Sequence, residues 1–176
     1  MIGSAKKWFF LVVPVLMLAL VVAGKSKAAQ AGGAQAGAAP SAPPTMPFKA
    51  DAKGVILFDK ETVSQAFAKG ATLYNGNAQG KNYRVHTLRR VAPGEVELHV
   101  KDTDIFYILE GSATFLTGGA MVEGRDTAPD EKRGKSMNGG TEYHLTGGNV
   151  VIIPANVTHW FKEIQQPVTY LTIKVR

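Results

Sequence analysis

The sequence predicts an all-β sandwich or barrel. Two observations carry this: runs of apolar and polar residues that alternate with a period of two, and the glycine pairs that separate them. Asn82 to Arg90 alternates, with Tyr83, Val85, Thr87 and Arg89 on one face and Arg84, His86 and Leu88 on the other. Glu95 to Val100 alternates again. Ile105–Leu109 and Ser112–Leu116 flank Glu110-Gly111, a spacing that predicts a hairpin. Gly118-Gly119, Gly139-Gly140 and Gly147-Gly148 punctuate the remainder. The stretch from Gly119 to Gly140 is polar, glycine-rich and too long for a tight turn, so it reads as a long loop of the functional or disordered kind. One short helix is expected near Thr62–Lys69, with Asp59 placed to cap it, Val63, Ala66 and Phe67 at helical spacing, and Gly70 as its stop.

The chain of 176 residues allows one domain, and its first part does not read as domain material. Lys6 and Lys7 precede an uncharged apolar run, Trp8 to Ala23, which is the layout of a secretory signal at residues 1–23. Cleavage after Ala23 or Ala31 fits the small residues there. The alternative is an uncleaved N-terminal anchor, although the run is short for a span of about twenty residues and holds Pro14. The expected location is therefore periplasmic or secreted. Residues 24–46, rich in Ala, Gly, Pro, Gln and Ser, read as a flexible linker, which leaves residues 47–176 as the folded domain.

With no cysteine, the chain has no disulfide, no thiolate nucleophile and no thiolate metal ligand, and attachment through a lipidated cysteine is excluded. The net charge of +6 shrinks once Lys6, Lys7, Lys25 and Lys27 of the leader and its flank are set aside. The basic balance is thus mainly a targeting feature and gives no support for nucleic-acid binding.

Two segments carry the chemistry. The upstream one offers Pro93-Gly94, Glu97, His99, Asp104 and Gly111, and the downstream one offers Gly148, Pro154, Asn156 and His159. Residues two apart on a strand share a face, so Glu97 and His99 project together. The spacings of both segments match the paired motifs of the cupin family, which the chain from about Arg84 to Arg176 resembles. Three residue types depart from that pattern. Glu97 stands where a first histidine is usual, Asp104 replaces a glutamate, and Asn156 replaces a glycine at a turn that asks for positive φ, which asparagine tolerates.

The resemblance implies a cupin-type double-stranded β-helix, or jelly-roll barrel, with a metal held by Glu97, His99, Asp104 and His159. Two imidazoles and two carboxylates make a hard, anionic donor set. It favours Mn²⁺ or Fe²⁺, tolerates Zn²⁺ and disfavours Cu⁺. The two carboxylates would neutralise a divalent ion. The alternative is that these four are ordinary polar barrel residues around an empty site. A second register, with His99 as the first histidine and Lys101 after it, spaces Asp104 poorly.

Two function classes stay open. One is a metal-dependent enzyme of dioxygenase or isomerase type acting on a small polar molecule; the other is a non-catalytic periplasmic module that binds a small ligand. His144, on the approach to the second segment, is the candidate acid or base, with His86 as another wall residue. Arg89-Arg90 either selects an anionic ligand or pairs with Glu95. Unpaired edge strands favour a homodimer.

Overall fold

The computed structural model describes residues 43–176. The leader and most of the linker lie outside the described residues, and among the described residues no helix is long and apolar enough to cross a membrane. In chain order the elements are α1 (Lys60–Lys69), β1 (Thr72–Asn75), a 3-10 turn (Gly76–Gln79), β2 (Tyr83–Arg90), β3 (Val96–His99), β4 (Thr103–Thr117) and β5 (Ala120–Val122). They continue with β6 (Arg125–Ala128), β7 (Glu131–Gly134), β8 (Ser136–Asn138), β9 (Thr141–Thr146), β10 (Val150–Ile153) and β11 (His159–Val175).

Two long antiparallel strands, β4 and β11, pair along most of their length and build the barrel. The first half of β4 also pairs β10, and the second half pairs β9. The C-terminal half of β11 pairs β2, which continues to β1; its first residue, His159, bridges β3, which continues to β7 and β6. Both long strands change sheets at one level, where Gly111 has φ of 88° and any Cβ would meet the carbonyl of Pro167. Register shifts gather in β11 just there, between Ile164 and Tyr170. The chain is thus folded over a corner into two facing antiparallel sheets, the double-stranded β-helix that the motif spacing implies.

This overturns the hairpin expected at Glu110-Gly111. The glycine bends one continuous strand and reverses nothing, because β11 supplies a partner on both sides of the corner. The segment Gly119–Gly140 is likewise no plain loop. It holds four short strands, of which β5 and β8 pair with each other while β6 and β7 join the main sheet. The linker boundary also moves. Thr45 bridges Thr72, Met46 donates its N–H to the Thr72 carbonyl, and the Met46 side chain is buried beside Ala66, Ala71 and Leu73, so the fold takes in Pro44 to Met46.

Helix α1 forms as its end signals require. The Asp59 carboxylate accepts from the Thr62 N–H at 2.7 Å, and Gly70 closes the helix at φ of 62°. Its buried Ala66 packs with Met46, Ala71 and Leu73, and Phe58, Val85 of β2 and Leu171 of β11 pack against that cluster. The interior is aromatic: Phe106, Phe115, Phe161 and Tyr170 are buried with Ile108 and Val168. Phe115 and Phe161 meet edge-on at 4.8 Å between centroids, and Phe106 lies 5.2 Å from Tyr170.

Candidate metal centre

Strand register delivers the candidate residues to one place. His159 of β11 lies opposite Glu97 of β3, which lies opposite Arg133 of β7, a single cross-strand row on one sheet. Asp104 of β4 lies opposite Lys174 of β11 on the facing sheet. His99 follows Glu97 by two residues and so shares its inward face. Its register partner is Glu131. His159 is presented by the Pro154–Thr158 corner, in which Asn156 adopts φ of 65°, the left-handed conformation expected of it.

All four residues predicted as donors converge. His99 Nε2 is 3.5 Å from Glu97 Oε2 and 3.4 Å from Asp104 Oδ2. His159 Nε2 is 3.8 Å and 3.7 Å from the same two oxygens. Donor atoms of Glu97, His99 and His159 all lie within 4.8 Å of one another. Asp104 is outside that mutual triplet, although it stands close to both imidazoles. These separations suit donors that share one ion at roughly 2.0–2.3 Å.

The buried polar accounting points the same way. His99, Asp104 and His159 are buried. Among the described residues, His99 Nε2 and His159 Nε2 make no hydrogen bond. A buried polar atom without a partner costs about 1–3 kcal/mol, and here two such atoms face the same carboxylate oxygens. The Nδ1 of His159 is 3.3 Å from the Val157 carbonyl, which can only accept. That bond puts the proton on Nδ1 and leaves the Nε2 lone pair facing the site.

Three cations hold the carboxylates, a role the sequence assigned to none of them. Glu97 Oε1 accepts from Arg90 at 2.9 Å and pairs with Arg133 at 2.7 Å, which leaves Oε2 for the imidazoles. Lys174 donates to both oxygens of Asp104 at 2.7 Å. Arg90 is pinned in turn by the Tyr170 hydroxyl at 3.0 Å and lies over the Phe161 ring. Arg90 therefore pairs with Glu97, while Glu95 is taken by Arg125. A signal for Lys174 exists in the alternation Tyr170, Thr172, Lys174, whose neighbours across β4 are Ile108, Phe106 and Asp104. Arg133 has no such signal, because it reaches Glu97 through the pairing of β3 with a segment read as loop.

Burial, the largest single influence on Glu97, works to raise its pKa. Contact with His99 and the charges of Arg133, His159 and Arg90 outweigh it and hold the carboxyl well below the usual range. Burial lowers the pKa of His159, with Glu97 and Asp104 opposing. His86, hydrogen-bonded through Nδ1 to Thr72 Oγ1 at 2.9 Å, is lowered to about 4 by burial and by Arg84 and Lys174.

His144 does not join the site. Leu145 and Phe115 point inward on β9 and β4, so His144, one residue from Leu145 and opposite Thr114, points outward and is exposed. The expectation that it lines the cavity is corrected on that alternation. Trp160, beside His159, also faces away, donating to the Gly94 carbonyl at 2.7 Å.

The barrel is a double-stranded β-helix, the fold that the paired motifs imply. No family model and no curated protein matches the chain. Among solved structures it is similar to a cupin protein from Bacteroides fragilis at 15% identity and a TM-score of 0.43, covering 61% of this chain and 78% of that one. It is similar to a predicted oxalate decarboxylase from Thermotoga maritima at 16% identity and a TM-score of 0.41, covering 60% and 76%. The EutQ protein of Clostridium difficile matches at 9% identity and a TM-score of 0.47, covering 74% and 94%. Likeness at this level concerns the fold and assigns no activity.

Proposed function

We propose that this protein binds a divalent metal ion through His99, His159 and Glu97, with Asp104 beside them, and works at that ion on a small polar molecule as a metal-dependent enzyme. One observation carries the reading: two buried imidazole nitrogens without partners are aimed at the same two carboxylate oxygens. The hard donor set favours Mn²⁺ or Fe²⁺, with Zn²⁺ tolerated. A bound ion supplies Lewis acidity or a site for O₂, which is chemistry of the dioxygenase or isomerase kind. The chain's own residues supply the rest. Arg90 and Arg133 fix which Glu97 oxygen faces the imidazoles, Lys174 holds Asp104, and the Val157 carbonyl sets the His159 tautomer. Phe106 and Phe115, whose centroids stand 6.0 and 6.1 Å from the His159 ring, keep water from one side.

The second reading, a non-catalytic periplasmic module that binds a small ligand, is favoured by the outward orientation of His144, which removes the expected acid or base. Turnover assays on the metal-loaded protein against small polar compounds separate the two. Elemental analysis tests the shared premise: the protein purified without added metal retains a divalent ion, and His99→Ala or His159→Ala does not. Retention by both variants removes the premise.

Export and dimer formation complete the proposal. The mature N-terminus, read by mass spectrometry, falls at or after Gly24; recovery of Met1 on a soluble cytosolic protein contradicts export. Exposed Val150 and Ile152 on the β10 edge, beside Tyr107 of β4, favour pairing with a second copy. Light scattering that returns a monomer at high concentration contradicts that.

A further inference from the structure

The charges around the donor cluster are balanced before any ion enters. Facing it are three anionic groups, Glu97 of β3, Asp104 of β4 and Glu131 of β7, whose Oε2 is 4.0 Å from His99 Nδ1. Facing it also are three cations, Arg90 of β2, Arg133 of β7 and Lys174 of β11. His86 of β2, lowered to about 4, is neutral near pH 7, and Tyr170 of β11, raised to about 12 by burial, keeps its proton. Beyond Asp104, residues Arg84, Lys101 and Arg176 pair with Asp102 and Asp130 and leave no negative charge over.

Sequence reasoning gave the two carboxylates the task of neutralising a divalent ion. The guanidiniums and the ammonium already take up those carboxylate charges, so the carboxylates are not free to neutralise it. An ion seated there brings two positive charges into a barrel interior with nothing left to oppose them, and an uncompensated buried charge is costly. Whatever completes the coordination must supply that compensation.

Access points to the same answer. Side chains of His99, Asp104 and His159 are 6%, 2% and 3% exposed, whereas Arg90, Arg133 and Glu131 are 24%, 27% and 30% exposed. The groups of the centre that reach solvent most are therefore two guanidiniums and the Glu131 carboxylate, and the planar forks of the guanidiniums suit oxyanions. We infer that the centre takes a small organic oxyanion as its exogenous ligand, and that ion and oxyanion bind cooperatively; this rests on the metal reading above.

Reciprocity makes the inference measurable without turnover, since an anion that needs the metal must raise the affinity for the metal by the same factor. The full-length chain, purified in detergent and stripped of metal, is titrated with Mn²⁺ and followed by electron paramagnetic resonance. The titration is repeated in acetate, in methylphosphonate and in neutral acetamide at equal ionic strength. Acetate or methylphosphonate tightens Mn²⁺ binding by roughly tenfold, acetamide has no effect, and the stronger of the two anions identifies the oxyanion class. Lys174→Met, which frees the charge of Asp104, binds Mn²⁺ more tightly than wild type without any anion and shows a smaller anion effect. Equal Mn²⁺ affinity in all three additives overturns the inference while the metal reading stands. Absence of Mn²⁺ binding under every condition removes the metal reading and this inference with it.

Discussion

The barrel interior is built in two ways, and the contrast between its halves separates stability from chemistry. Around Phe115, Phe161 and Tyr170 the packing is aromatic, each ring is buried, and the Tyr170 hydroxyl is satisfied by Arg90. Around His99 and His159 the side chains are just as buried, yet two ring nitrogens have no partner and six ionisable groups crowd together. The first half is what a fold needs. The second costs free energy as it stands, and a protein keeps such an arrangement where a ligand repays it.

Breaking the aromatic half has the largest effect. Phe115→Ala opens a cavity between Phe106, Phe161 and His159 and lowers stability by about 3–5 kcal/mol in denaturant unfolding. His159→Phe sharpens the contrast from the other side. It replaces a buried polar ring with an apolar one among Phe106 and Phe115, so the metal-free variant changes in stability by less than about 1.5 kcal/mol while metal retention is lost.

The next effect is on pH. His86 has its pKa lowered to about 4 in the folded protein, from 6.5. Because the folded value is the lower one, the unfolded chain binds the proton first, and stability falls as pH drops from about 6.5 toward 4. The loss is on the order of 2 kcal/mol for the metal-free protein, read from urea midpoints at pH 7 and pH 5. His86→Gln flattens that slope, and an unchanged slope contradicts the assignment. Smaller again is Arg133→Leu. It leaves Glu97 Oε1 with Arg90 alone and lowers metal-free stability by about 1–2 kcal/mol in urea unfolding. Smallest is Asn156→Gly at φ of 65°, within about 1 kcal/mol of wild type; Asn156→Val at the same turn costs more.

The convergence of these side chains was legible in the sequence for a reason that does not extend to their supports. Glu97 and His99 share a face by strand period, and His159 follows a proline corner, so short-range geometry places each of them. The α1 ends at Asp59 and Gly70 were legible on the same terms. Arg90, Arg133 and Lys174 act across strand pairings, and their place depends on registers that no local pattern sets. Glu110-Gly111 misled in the same way: a glycine that turns a hairpin and one that bends a long strand look alike until the partner strand is known. Between Gly119 and Gly140 the strands are only three or four residues long, too short for alternation to show.

The central claim is that the polar half of the interior exists to hold a metal ion. The most direct test is the metal content of the wild-type protein and of His159→Phe, both purified without added metal near neutral pH and both shown to be folded by circular dichroism. Wild type should carry a divalent ion, Mn or Fe before Zn, close to stoichiometric with the chain, and the folded variant should carry none. Equal metal in the two proteins, or none in wild type even after incubation with Mn²⁺, would contradict the account.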